Sequence, residues 1–124
     1  MKTILEIGNC NADHMSLKSM LQSNFEATLL RAHGLSDALE ALQTNNIDLV
    51  MINRLLDTDG SEGIAILRHL KADPDLQTIP AMLITNYAEH QDVAVTAGAI
   101  RGFGKAELRS NKTLQVIQTA LGAV

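Results

Sequence analysis

The apolar run Ile47-Asp48-Leu49-Val50-Met51-Ile52 is broken only by Asp48 and ends abruptly at an amide, Asn53. Such a run between polar boundaries is the pattern of a strand buried on both faces of a parallel sheet. Behind it come a short acidic loop, Asp57-Thr58-Asp59-Gly60, and an amphipathic stretch, Ser61 to Lys71, with Ile64, Ile66, Leu67 and Leu70 on one helical side. The alternation repeats along the chain. Thr3 to Ile7 predicts a first strand closed by Gly8, and Asn11 or Asp13 stands where it can cap a helix carrying Met15, Leu17, Met20 and Leu21. Phe25 to Ala32 predicts a second strand. Ser36 caps a second helix with Leu39, Ala41 and Leu42 inward, and Asn45-Asn46 stops it. Ile79 to Thr85 predicts a fourth strand, with Pro80 tolerated at its entrance. Glu89 to Ala97 predicts a helix closed by Gly98, Ile100 to Gly104 a fifth strand, and Ser110 to Leu121 a last helix built on Leu114, Ile117 and Leu121. Strands alternating with helices over short connections predict a doubly wound (βα)5 sheet, an α/β domain spanning residues 1–124.

Composition narrows the functional classes. With 124 residues, 46% hydrophobic and 19% charged, the chain makes one compact domain with a real core. A net charge of -4 supplies no basic field, so no nucleic-acid partner is expected. The single Cys10 rules out an intrachain disulfide and fits a reducing compartment. No apolar run reaches membrane-spanning length, and a strand pattern starting at Thr3 leaves no room for a signal peptide. The expectation is a cytoplasmic protein with no membrane attachment.

In an open α/β sheet, ligands bind outside the carboxyl ends of the strands, which directs attention to Asn53 and its neighbours. Four local signatures occur there in order: Asp48-Leu49-Val50-Met51-Ile52-Asn53, Asp59-Gly60, Ile79-Pro80 through Thr85, and Gly98-Ala99 ahead of Lys105. Together, over essentially the whole chain, they resemble the receiver domain of two-component response regulators of the chemotaxis type. The resemblance implies a flavodoxin-like sheet in the order 2-1-3-4-5. It also implies a site made of an aspartate that accepts a phosphoryl group, two acids that hold Mg²⁺, and a hydroxyl and a lysine that bind phosphoryl oxygens. By position the acceptor falls on Asn53 and the acid pair on Gly8 and Asn9, whereas Thr85 and Lys105 match. The chain thus resembles a pseudo-receiver. An amide is no nucleophile for phosphoryl transfer. A hard cation such as Mg²⁺ wants carboxylate oxygens, so no cofactor and no metal are expected. The Asp-Gly pair follows Asn53 one residue sooner than in the usual pattern, and the position of the family's switch aromatic falls on Gly102, with Phe103 directed to the opposite face.

Lys105 keeps its charge in a crevice without a phosphoryl group. Either Asp57 or Asp59 is its permanent replacement partner, or it is solvated at the rim. Asn9 and Asn53 are expected to hydrogen-bond each other across the strand ends. His14, His33, His69 and His90 show no metal spacing and read as surface or helix-end residues; Cys10 reads as inert and Tyr87 as a surface residue. Arg54 either binds an anion or pairs with a neighbouring acid. The expected function, implied by the resemblance, is non-enzymatic: a phosphorylation-independent receiver in bacterial two-component or phosphorelay signalling that binds a protein partner, a sensor kinase or another signalling protein. Ala94, Val95, Ile100 and Phe103 are candidates for a homodimer face made by the fourth helix, fifth strand and last helix. Two rivals stand beside it: a phosphoryl-accepting regulator using Asp57 or Asp59, and a small-anion sensor using Thr85, Lys105 and Arg54.

Overall fold

The computed structural model describes residues 1–122. Five parallel strands, β1 (Lys2–Ile7), β2 (Ala27–Ala32), β3 (Leu49–Asn53), β4 (Ala81–Ile84) and β5 (Ile100–Phe103), lie in the order β2-β1-β3-β4-β5. The helices α1 (Asn11–Asn24), α2 (Leu35–Thr44), α3 (Ile64–Ala72), α4 (Ala88–Thr96) and α5 (Asn111–Ala120) cover both faces. This is the flavodoxin-like architecture expected from the sequence. Alternate residues of the central strands feed two cores. Leu5, Ile7, Val50, Ile52 and Leu83 pack beneath α2, α3 and α4. Ile4, Leu49, Met51, Met82 and Ile84 pack beneath α1 and α5. Burial on both faces is why these strands read as apolar runs, interrupted in β1 by Glu6. The pairings Ile7↔Ile52 and Asn53↔Ile84 bring the carboxyl ends of three strands level.

Element ends differ from the sequence pattern where side chains intervene. β3 starts at Leu49 because the Asp48 carboxylate accepts from Thr3 N at 2.8 Å, ahead of the ladder. Neither Asn11 nor Asp13 caps α1, whose N-cap is Cys10, with no side-chain bond there. Ser36 does not cap α2. Asp37 reaches back to accept from His33 N at 2.7 Å and Gly34 N at 2.9 Å, so the helix starts at Leu35. Ser110 caps α5 as the sequence suggests, its Oγ accepting from Thr113 N at 3.2 Å.

The acidic loop after β3 folds back on itself. Leu55 bridges Glu62, Gly63 N donates to Arg54 O at 2.7 Å, and α3 begins only at Ile64, later than Ser61. Gly63 sits so close to the strand that a Cβ there would lie 2.1 Å from Asn53 O and 2.7 Å from Ile52 Cγ2. Gly63→Ala is therefore expected to cost about 1–3 kcal/mol or more, read as a lower urea midpoint at unchanged slope.

Candidate functional site

The site lies at the carboxyl edge of β1, β3 and β4. Asn53, half-buried at the end of β3, donates through Nδ2 to Gly8 O at 3.2 Å and to Leu55 O at 2.7 Å. Asp57 N donates to the same Gly8 carbonyl at 3.0 Å, so one oxygen joins the β1–α1 corner to the end of β3 and its loop. Gly8 has φ +84°, and a Cβ there would fall 2.4 Å from Leu56 Cδ2. The position suits glycine on both counts.

The expected bond between Asn9 and Asn53 does not form. Both hydrogens of the Asn53 amide go to backbone carbonyls. Asn9 is buried beside Glu6 instead, its backbone carbonyl accepting from Arg31 Nη2 at 2.9 Å.

Lys105 follows β5, in a 3-10 turn over Lys105–Glu107. Its side chain is partly exposed, and its partner is neither Asp57 nor Asp59. Its Nζ donates to Asp13 Oδ2 on α1 at 2.6 Å. The expected carboxylates have other engagements. Asp57 Oδ2 lies 3.4 Å from His33 Nδ1, and Asp59 accepts from its own neighbour Ser61, at 2.8 Å from N and 2.6 Å from Oγ. Sequence distance misleads here: Asp13 is remote from Lys105 in the chain, yet the first turn of α1 passes beside the end of β5.

Thr85 is buried at the end of β4, its Oγ1 accepting from Tyr87 N at 3.3 Å. Arg54 pairs with no acid among the described residues; its guanidinium carbon sits 5.7 Å from the Tyr87 ring centroid, a cation–π contact. Tyr87 is 55% exposed and meets His90 edge-on. A cavity of about 210 Å³ opens among Asn53, Arg54, Thr85, Asn86, Tyr87 and Lys105, and no carboxylate lines it.

Gly102 has a physical reason to lack a side chain, since a Cβ would lie 2.2 Å from Leu83 O. The β4–β5 ladder shifts register here, and Gln91 of α4 fills the gap. Its Nε2 donates to Leu83 O at 3.0 Å and Thr85 O at 3.3 Å, and its Oε1 accepts from Gly102 N at 2.8 Å. Phe103 packs into the core beneath α1 and α5.

Three residues escaped the sequence reading: Asp13, Gln91 and Glu6. Only Glu6 carried a signal, a charge next to the end of a strand with both faces buried. His14 is its partner at 2.8 Å, a helix-end residue in the first turn of α1 as expected, but one turned inward to the sheet. Burial raises the Glu6 carboxyl above its ordinary 4.5 by more than His14, Arg31 and Asn9 lower it.

Comparison with known proteins bears on the fold. No family model and no curated protein matches the chain. Solved structures do. The signal receiver domain of the DNA-binding response regulator protein merR from Colwellia psychrerythraea 34H is similar at 25% identity and TM-score 0.81, over 98% of this chain and 99% of that one. The receiver domain of NtrX from Brucella abortus is similar at 21% identity and TM-score 0.81, over 98% and 99%. The signal receiver domain of a signal transduction histidine kinase from Syntrophus aciditrophicus is similar at 25% identity and TM-score 0.73, over 99% and 92%.

The chain has the receiver fold.

In this receiver fold the Lys105 hydrogen bond holds the Asp13 carboxyl below its ordinary 3.8. A depressed folded value means the bridge stabilises above 3.8 and is lost as pH falls through the lower folded value. Both side chains are partly exposed, so Asp13→Asn is expected to cost about 0.2–1 kcal/mol near neutral pH and nothing at the acid end. Thermal melts of both proteins across that range check it. Placing an aromatic at the switch position should disrupt the sheet instead of restoring a switch: Gly102→Tyr is expected to lower the melting temperature and to broaden the amide resonances of β4 and β5.

Proposed function

We propose that this chain is a receiver-fold signalling module that works by binding another protein, in a conformation set by its sequence and not by phosphoryl transfer. The observation that carries this is Asn53. Its amide stands at the acceptor position with both hydrogens bound to Gly8 O and Leu55 O, part of the corner's own framework. The neighbouring donors suit Mg²⁺ poorly: Gly8 offers no side chain, Asn9 is buried beside Glu6, and Arg54 and Lys105 bring positive charge. Lys105, which would greet a phosphoryl group, already holds a carboxylate from α1. Neither Asp57 nor Asp59 lines the cavity with Thr85 and Lys105, which counts against a displaced acceptor.

The partner is a signalling protein. One similar structure is the receiver of a histidine kinase and another that of a DNA-binding regulator, and a sensor kinase or regulator is the class to test first. Of the residues proposed for self-association, Val95 and Ile100 are exposed and available, whereas Ala94 and Phe103 belong to the core. A cytoplasmic setting suits this role, and no helix of the described residues is long and apolar enough to cross a membrane.

The acid-free cavity between Arg54 and Lys105 favours one second reading, capture of a small anion with Thr85 donating. Thermal-shift measurements with phosphate and sulfate separate it, since a ligand of the native state raises the melting temperature. The main reading is tested by an amide NMR titration with Mg²⁺ and then Mg²⁺ plus beryllofluoride. Unmoved resonances at Asn53, Thr85 and Lys105 are expected. Saturable shifts there, abolished by Asp57→Asn or Asp59→Asn, overturn it.

A further inference from the structure

Three exposed large apolar side chains, Leu55, Tyr87 and Val93, lie along a single groove. Leu55 and Tyr87 line the cavity that holds Arg54 and Thr85 at the strand ends. Arg54 is also a wall of a second cavity, about 230 Å³, which takes Ile64 and Arg68 from α3 and His90 and Val93 from α4. Arg68 and Val93 then line a third, about 400 Å³, with Thr96 and Ala97. The shared residues join the three into one groove, running from the end of β3 to the last turn of α4 with α3 on one side and α4 on the other. Val95 and Ile100, the exposed pair named for self-association, do not line it.

The charges of this groove do not balance. Among the described residues, Arg54 and Arg68 form no ion pair, and Arg54 rests on the Tyr87 ring with its N–H groups uncommitted. Of the acids on the walls, Asp92 is held by Arg101 at 2.7 Å, which leaves Glu62 as the unpaired carboxylate. Lys105, at the upper end, is held by Asp13. Two unpaired guanidiniums therefore stand against one unpaired carboxylate, a local positive excess on a chain of net charge -4. Arginine and tyrosine among apolar side chains are what the centres of protein interfaces are enriched in. A guanidinium presents a planar fork of donors that matches a carboxylate. We propose that the groove between α3 and α4 is the docking surface for a protein partner, which lays an acidic segment along it. Carboxylates of that segment engage Arg54 and Arg68, and an apolar side chain between them packs on Ile64 and Val93. A second copy of this chain is a poor occupant: its own acidic stretch, Asp57-Thr58-Asp59-Gly60, carries no apolar side chain and commits Asp59 to Ser61. The inference rests on the reading of this chain as a protein-binding module and names the surface and the chemistry of the partner.

The test is an NMR titration of the wild-type chain, without Mg²⁺, with a capped peptide of sequence Asp-Glu-Leu-Leu-Glu-Asp. Amide and arginine Nε resonances of Arg54, Arg68 and Val93 should shift and saturate, with Ile100 unmoved. The isosteric peptide Asn-Gln-Leu-Leu-Gln-Asn should bind about tenfold more weakly or worse. Arg54→Gln and Arg68→Gln should each weaken the acidic peptide by about threefold and the double variant by about tenfold, as for independent exposed ion pairs. Raising NaCl to about 0.5 M should weaken it further. Absence of saturable shifts along the groove overturns the proposal, and so does equal binding of the neutral peptide. Displacement of the acidic peptide by millimolar sulfate at matched ionic strength assigns the arginines to a free anion and also overturns it. Shifts confined to the Val95 and Ile100 pair overturn the groove while leaving the protein-binding reading in place. That reading fails separately, on the Mg²⁺ and beryllofluoride titration, whose resonances at Asn53, Thr85 and Lys105 the peptide experiment does not use.

Discussion

The carbonyl oxygen of Gly8 accepts from Asn53 Nδ2 and from Asp57 N, and the geometry of the strand ends depends on that shared acceptor. It ties the corner after β1 to the last residue of β3 and to the loop beyond. A backbone carbonyl has two lone pairs, and here both are used across a gap between separate segments. With the amide so engaged, Asn53 becomes part of the scaffold. The crevice beside it is left to cations and a hydroxyl, and its electrostatic character is opposite to that of a site built from carboxylates.

The fold was legible because burial on both faces of a parallel sheet leaves a simple mark, an apolar run with polar ends, at β1, β3 and β4. The position of Asn53 followed from its strand end, whereas Thr85 and Lys105 were marked by the resemblance to receiver domains. What was not legible were the partners. For Lys105 the sequence offered Asp57 or Asp59, acidic and near Asn53 in the chain, or solvent at the rim, whereas the structure supplies Asp13 from the first turn of α1. Asn9 and Asn53 share an edge, but hydrogen bonds to backbone carbonyls settle closer in. Helix starts failed for a related reason: Asp37, not Ser36, reaches back at α2, and an Asp inside the first turn serves as well as a hydroxyl ahead of it.

Glu6 and Gln91 are polar groups placed inside the sheet's own packing, and each stands where the ladder or the core is irregular. Glu6 interrupts the apolar alternation of β1 and brings His14, Arg31 and Asn9 into a cluster below the corner. Gln91 stands in for ladder hydrogen bonds at the register shift between Met82 and Ile84. Periodicity reports the average environment of a segment, and groups like these are the exceptions that averaging hides.

The Gln91 clasp also has a mechanical meaning. Most edge strands are fastened by their neighbour's backbone and slide or fray independently of the helices above them. Here the middle of β5 is held by a side chain rooted in α4, which grips β4 with one end of its amide and β5 with the other. Force applied to α4 is thereby transmitted to the edge of the sheet, and from there along a few residues of chain to Lys105. Helix and edge strand are thus coupled through one side chain, with the glycine at position 102 as the point where the grip closes.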